Sequence, residues 1–335
     1  MDTEIKRDNY LEKLLVRRNN GLIKVVTGLR RCGKSYLLGT LFKNHLINEG
    51  VPQDHIIEMS FDLFENLEYR NPKVFYPWVQ KQLKDDGQYY ILLDEVQLMQ
   101  EFVSVLNGLA AKKNCDVYVT GSNARFLSRD IATEFGGRGD EVHMYPLSFA
   151  EFMTVYKGHY YDGFREYMTY GGIPIVVLAQ TPEQKMALLD SLFTETYIRD
   201  IRIRNKLRNV GEMGTLLDIL SSSVGSLTNP NKLCNTFHSV NKSKITATTI
   251  IKYIGYLEDS FLIEEAKRFD IRGKSYIGTP QKYYFTDLGL RNARIGYRQT
   301  EVTHSMENII YNELRIRGFK VDVGNLSITE QDKNR

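Results

Sequence analysis

The chain has 335 residues, 42% of them hydrophobic and 25% charged, an ordinary globular composition long enough for two domains with a real core. The formal net charge of +3 is too small to argue for nucleic acid by itself, so only local clustering of basic residues would do so. Three widely separated cysteines, Cys32, Cys115 and Cys234, exclude a disulfide framework and a zinc spacing. The run Met1 to Arg7 lacks the apolar centre of a signal peptide, and the longest apolar runs, such as Ile173 to Ala179, are far short of a membrane span. A reducing, cytoplasmic setting is the expectation.

In chain order, Leu22 to Thr27 is a short β-branched apolar run closed by glycine and reads as a buried strand. A helix follows from Lys34 to Asn48. Strand Ile56 to Phe61, helix Pro72 to Leu83, strand Tyr89 to Leu93, helix Phe102 to Ala111 and strands Val117 to Thr120 and Val142 to Tyr145 complete the pattern. Near-continuous apolar strands alternating with helices imply an α/β fold: a parallel sheet with helices on both faces. Residues 147–208 read mostly as helix, broken at Gly171-Gly172-Ile173-Pro174. Beyond them come helices near Met213 to Ser223, Asn231 to His238 and Thr246 to Glu258, then strand-like runs Phe261 to Phe269 and Lys282 to Thr286. Three helices and a two-stranded wing are the pattern of a winged helix. Helix Met306 to Arg317, strand Phe319 to Val323 and a polar tail close the chain. The expected division is an arm (1–20), a sheet domain (21–150), a helical connector (151–208), a winged-helix-like domain (209–300) and a terminal fragment (301–335).

The run Gly28-Leu29-Arg30-Arg31-Cys32-Gly33-Lys34-Ser35 satisfies G-x-x-x-x-G-K-[ST] between a predicted strand and helix. A chain this long would match that pattern by chance about one time in a hundred. Its glycines let the backbone curl so that amide N–H groups surround phosphates, and the helix start adds its positive dipole end. Residues Gly28 to Tyr36 are therefore the expected ATP-binding loop, with Lys34 reaching the β- and γ-phosphates and the Ser35 hydroxyl on Mg²⁺. The strand ending Asp94-Glu95 has the matching Walker B pattern: Asp94 for the magnesium shell, Glu95 to polarise the attacking water. Ser122 and Asn123 follow the strand that begins at Val117, where they would either lie near the γ-phosphate or the water, or cap a helix. Cys32 is either a small residue tolerated in the loop or an exposed thiol made reactive by Lys34 and the helix start.

These elements, followed by Thr120-Gly121-Ser122-Asn123, Gly137-Arg138 and Tyr145-Pro146-Leu147-Ser148-Phe149, come in one order. Together they resemble the prokaryotic, archaeal-ATPase-like AAA-type ATPases that carry a carboxy-terminal domain of unknown function. The resemblance continues through Gly171-Gly172-Ile173-Pro174, Tyr284 to Leu290 and Glu307-Asn308, to about Gly324. It implies a five-stranded P-loop sheet with the Ser122 strand between the strands leading to Lys34 and Asp94, and a winged helix behind it. It also implies that Arg138 senses the γ-phosphate in cis or from a neighbouring copy; the alternative is a structural loop arginine. At the carboxy terminus the family resembles a restriction-endonuclease-like fold, in which Glu307 matches the first acidic position. The strands for its remaining acidic residues are not found, so nuclease chemistry is unsupported and the chain is expected to be truncated or divergent.

On helix Thr246 to Glu258, Ala247, Ile250, Ile251, Ile254 and Leu257 share the expected core face, with Thr249, Lys252 and Tyr256 opposite. With Arg272 and Lys274 in the wing, that polar face would contact duplex DNA; otherwise it is solvated or meets a protein partner. Asp259 on the same side would repel phosphate. The resulting expectation is an ATPase whose nucleotide state controls a winged-helix module binding DNA. Its rival is a slow ATP-dependent switch contacting a protein, and either would be compatible with a homo-oligomer and with no membrane association.

Overall fold

The computed structural model describes residues 4–121, 135–207, 210–241, 245–271, 275–298 and 301–325. The chain divides into two compact units, Met1–Pro146 and Leu147–Arg335. Among the described residues no helix is long and apolar enough to cross a membrane.

In the first unit five strands form one sheet, β1 (Ile23–Gly28), β2 (Ile56–Ser60), β3 (Tyr89–Asp94), β4 (Cys115–Thr120) and β5 (Gly139–Met144), in the order β2-β3-β4-β1-β5. All neighbouring pairs are parallel. β4 therefore lies between β1 and β3, as the resemblance implied. The apolar runs are continuous because both faces are covered. On one face Ile23, Val25, Ile91, Leu93, Val117 and Val119 pack against Phe75 and Val79 of helix Pro72–Gln82 and Leu106 and Leu109 of helix Phe102–Ala110. On the other, Phe42 meets Tyr118 with ring centroids 4.5 Å apart. Phe42 belongs to the helix over 34–48, which changes from α to π over Leu37–Phe42 and back to α at Lys43. Such π segments widen the turn and recur at functional sites.

Two elements of this unit differ from the sequence reading. The amino-terminal arm contains a helix, Asp8–Leu15, with Ile5, Tyr10 and Leu14 buried. The chain after β2 winds into a 3-10 helix, Phe64–Arg70, tied back by the Arg70 guanidinium to the Phe61 carbonyl at 2.7 Å.

The second unit begins with the helices Phe149–Val155, Tyr160–Tyr170, Pro174–Val177 and Pro182–Ser191. Helices Val210–Ser222, Pro230–Asn241 and Ala247–Asp259 follow, then the antiparallel pair β6 (Ile263–Asp270) and β7 (Ser275–Phe285). Helix Val302–Ile316 leads to β8 (Val323–Asn325), which joins β6 in parallel to give the order β7-β6-β8. Helix Leu288–Arg294, absent from the sequence reading, starts at Asp287, whose carboxylate accepts from the Leu290 amide at 3.1 Å and the Gly172 amide at 2.7 Å. Asp287 is fully buried, and that burial pushes its carboxyl up to about 6 despite the amide donors.

The helix Ala247–Asp259 is rotated relative to the expected core face. Ile251 is 57% exposed, whereas Tyr253 and Tyr256 are buried with Ile250, Ile254 and Leu257. Long aromatic side chains reach the core from the flank of a helix, and two tyrosines draw the buried stripe to their side. Tyr256 is therefore corrected from an expected groove contact to a core residue. Lys252 remains exposed, its ammonium 5.8 Å from the Tyr256 ring centroid, and Thr249 is half-buried. Arg272 and Lys274 lie outside the described residues.

Candidate functional site

In a parallel sheet all strands deliver their carboxy-terminal ends to one edge, where the chain leaves the core and polar groups become accessible. Here that edge gathers the ends of β1, β2, β3 and β4. β1 ends at Gly28, whose φ is +133° and where any Cβ would stand 2.0 Å from the Met144 carbonyl oxygen. Only glycine allows the loop to leave β1 so close to β5. Gly33 has φ +103° and ends the loop just before the helix beginning at Lys34. Within the loop Leu29 and Cys32 are buried, Arg31 is exposed with φ +68°, and Tyr36 is 40% exposed. The Lys34 ammonium is buried and folds back on the loop, donating to the Gly28 and Leu29 carbonyls at 3.0 Å each.

Asp94 is the last residue of β3. One of its oxygens accepts from the Ser35 hydroxyl at 3.0 Å and from the Thr120 hydroxyl; the other accepts from the Ser60 hydroxyl at 3.1 Å. Ser60 stands opposite Asp94 in the β2–β3 register, and its hydroxyl also lies 2.7 Å from Asp62. The oxygen of Thr120, at the end of β4, accepts from the Glu95 amide at 3.0 Å. Glu95 turns the chain off the sheet with φ +52°, and its carboxylate accepts from the Gln97 side-chain amide. Lys34, Ser35, Asp94 and Glu95 thus share one edge of the sheet.

Other expected site residues fall elsewhere. Cys32 is buried, with its thiol donating to the Met144 carbonyl at 3.5 Å. The expectation of an exposed sulfur beside the phosphates therefore fails, because the side chain faces β5 rather than the inside of the loop. Arg138 precedes β5, and its carbonyl accepts from the Ile23 amide at 2.8 Å, at the start of β1. β1 runs five residue steps from there to Gly28, roughly 16 Å at about 3.3 Å per residue. Arg138 is thus at the opposite end of the sheet from the loop, and sensing within its own chain is overturned. Ser122 and Asn123 lie outside the described residues.

Ser60, Asp62 and Thr120 were not picked out individually as site residues. Ser60 and Asp62 carry no motif of their own; the neighbouring of β2 and β3 brings Ser60 to Asp94, and Asp62 contacts the Ser60 hydroxyl. The donor set fits a magnesium–phosphate ligand. Mg²⁺ takes hard oxygen ligands, keeps several waters and relies on substrate phosphates rather than an all-protein cage. One carboxylate and the Ser35 hydroxyl supply such a partial set, and among the described residues no group of three or more His, Cys, Asp or Glu could hold a metal ion.

Residues 20–153 match the family described as AAA domain, and residues 161–301 match a domain of unknown function, DUF8612. An uncharacterized protein of Haemophilus influenzae is 36% identical over 334 residues, covering 98% of this chain and 83% of that protein. The uncharacterized protein MJ1544 of Methanocaldococcus jannaschii is 26% identical over 316 residues, covering 89% of this chain and 67% of that protein. Among solved structures, the Aeropyrum pernix ORC1 protein in complex with DNA is similar at 10% identity and a TM-score of 0.36, over 95% of this chain and 96% of that one. That likeness is too loose to bear on function. The chain belongs to the family of AAA-type P-loop ATPases that carry a carboxy-terminal domain of unknown function.

Proposed function

We propose that residues Gly28 to Tyr36 bind ATP with Mg²⁺ and that the chain hydrolyses it. The observation that carries this reading is the 3.0 Å hydrogen bond from Ser35 to Asp94, which joins the phosphate-loop serine to the carboxylate ending β3. The loop amides orient the phosphates, and the Lys34 ammonium exchanges its two carbonyl acceptors for phosphate oxygens. Ser35 and Asp94 would hold the metal, which would supply neutralisation of the charge developing on the phosphates. Thr120 and Ser60 fix the Asp94 carboxylate from both sides. Glu95 orients the attacking water and takes its proton at a carboxylate oxygen. Ser122 and Asn123 are proposed to act on the γ-phosphate or the attacking water. Arg138 serves a neighbouring copy in a homo-oligomer, since its own loop is at the far end of the sheet.

The wider reading follows the same division as before. An arm (1–20), the ATPase domain (21–150), a helical connector (151–208), a winged-helix-like domain (209–300) and a terminal fragment (301–335) form an ATP-driven device. Its nucleotide state controls a winged helix that contacts duplex DNA through Thr249, Lys252, Arg272 and Lys274. A second reading, with a protein as the partner of a slow ATP switch, is favoured by one observation: Ile251 is exposed directly beside Lys252.

The test is nucleotide binding by calorimetry together with phosphate release, with and without duplex DNA. Lys34→Ala is expected to abolish tight ATP binding. Glu95→Gln is expected to keep binding and slow hydrolysis by about a hundredfold or more, since it removes water activation and no phosphate contact. Wild-type hydrolysis in Glu95→Gln would remove Glu95 from the mechanism. Faster release with DNA supports the DNA reading, and an unchanged rate supports the protein partner.

A further inference from the structure

We infer that Arg7, on the amino-terminal arm, is a positioning residue that sets the phosphate loop in its binding-competent shape from the outside; this rests on the nucleotide-binding reading above. Arg7 precedes helix Asp8–Leu15 and is 3% exposed. Its guanidinium donates to the Cys32 carbonyl at 3.0 Å and to the Tyr145 carbonyl at 2.7 Å. It lies over the Tyr10 ring, 4.7 Å from the centroid, while the Tyr10 hydroxyl accepts from the Tyr145 amide at 3.1 Å. A planar, permanently charged fork is suited to hold two carbonyls at a fixed angle.

The bond to Cys32 matters because of peptide geometry. In a planar trans peptide the C=O of one residue and the N–H of the next point in opposite directions. Holding the Cys32 carbonyl on the outer side of the loop therefore turns the Gly33 N–H to the inner side, where a phosphate oxygen would accept it. Gly33 has φ +103° and no Cβ to restrict its amide plane, so an outside anchor has a large orientational freedom to remove. The same outer side is fastened twice more to the end of β5. Gly28 packs against the Met144 carbonyl, and the Cys32 thiol donates to that oxygen at 3.5 Å. Arg7 adds the charged bond of this set, and charge-assisted bonds are about twice as strong as neutral ones. The buried arm is thereby coupled to nucleotide affinity without touching the nucleotide.

The test uses the full chain and compares Arg7→Ala, Arg7→Lys and the control Leu14→Ala. Leu14→Ala loosens the packing of the same helix but removes no bond to the loop. Each variant is measured for urea midpoint and for binding of ATP and ADP. Arg7→Ala is expected to bind both nucleotides about ten- to a hundredfold more weakly, the range for losing a hydrogen bond to a charged group. The factor should be the same for both, because loop amides cradle phosphates that ATP and ADP share. Arg7→Lys, with a single ammonium for two carbonyls, should fall between wild type and Arg7→Ala. It also serves as the decisive variant if Arg7→Ala does not fold. Leu14→Ala should lower the urea midpoint and keep wild-type affinity. Affinity losses in Arg7→Lys and Leu14→Ala that merely follow their urea midpoints would overturn the positioning role, as would wild-type affinity in Arg7→Lys. A wild-type chain that bound neither nucleotide would instead overturn the nucleotide reading on which it rests.

Discussion

Two aspartates near the ends of strands, one in each unit, are held by opposite means. Asp94, at the end of β3, is half-buried, and the Ser35, Ser60 and Thr120 hydroxyls donate to it. Asp287, just after β7, is fully buried and accepts from the backbone amides of Gly172 and Leu290. A hydroxyl rotates and can exchange one acceptor for another, as Ser35 must if it is to ligate a metal. A backbone amide keeps its direction once the chain is folded. The first arrangement suits a carboxylate whose partners change with a ligand. The second suits a fixed pin, here joining the turn after helix Tyr160–Tyr170 to the start of helix Leu288–Arg294. The same residue type is thus held by exchangeable hydroxyls at one place and by fixed backbone amides at the other.

The sharpest test of that difference is Asp94→Asn. If Asp94 is a site residue, the variant should lose metal-dependent phosphate release by about a hundredfold or more, since an amide is a poor ligand for a hard cation. Its thermal or urea stability should change by less than about 1 kcal/mol, because an amide oxygen still accepts from hydroxyls and the position is not fully buried. A variant that hydrolysed ATP normally but unfolded early would reverse the assignment and make Asp94 the structural residue.

Asp287 should behave in the reverse sense. Asp287→Ala leaves buried amides without an acceptor and removes a helix cap, which together should destabilise the second unit by about 3 kcal/mol. The wild-type carboxyl also gives a pH signature. Burial pushes it up to about 6, from an ordinary value near 3.8. The native state then holds a proton between those pH values that the unfolded chain has already released. Stability is therefore highest below about pH 4, falls as pH rises through about 6 and is flat above that, with a change of about 3 kcal/mol from this group. Urea unfolding followed at several pH values should show that slope in wild type and lose it in Asp287→Asn. An identical slope in both would assign it to other groups.

How far the sequence carried this picture differs between the same two places. The loop Gly28 to Ser35 and the Asp94-Glu95 strand end were legible because a buried parallel strand is a continuous apolar run, and its end is marked where glycine or acid interrupts it. Strand order was not legible from the residues, and the family resemblance placed only β4 between β1 and β3, leaving the full order to the structure. Nothing in the sequence links Ser60 to Asp94, since the link is a register between two strands. Arg7 was invisible for the same reason, its carbonyl partners lying 25 and 138 residues away. In the second unit, Asp287 before Leu288 carried an N-cap signal, but a short helix amid glycines has little periodicity to announce it. The error at Ile251 and Tyr256 has a different cause. An idealised wheel gives each residue one direction, whereas tyrosine rings reach the core from positions that a smaller side chain could not use.

The smallest expected effect concerns Lys252, and it bears on what the second unit touches. Lys252 is exposed on helix Ala247–Asp259, with the buried Tyr256 on one side and the exposed Ile251 on the other. If this surface lies against DNA, each phosphate contact contributes about 0.9 to the slope of log K against log salt. Lys252→Ala should then make that slope shallower by about one contact and weaken binding equally for unrelated duplexes, because a phosphate contact carries no sequence information. Replacing Arg272 and Lys274 as well should flatten it further if the wing contributes. A protein partner predicts another pattern. Ile251→Ser should then weaken association more than Lys252→Ala, and salt should matter little, because an exposed apolar side chain gains by burial while a rim charge chiefly alters the on-rate. Binding titrations of the three variants at two or more salt concentrations separate the cases. A salt slope unchanged by Lys252→Ala, together with a large loss in Ile251→Ser, would move this helix from nucleic-acid contact to protein contact.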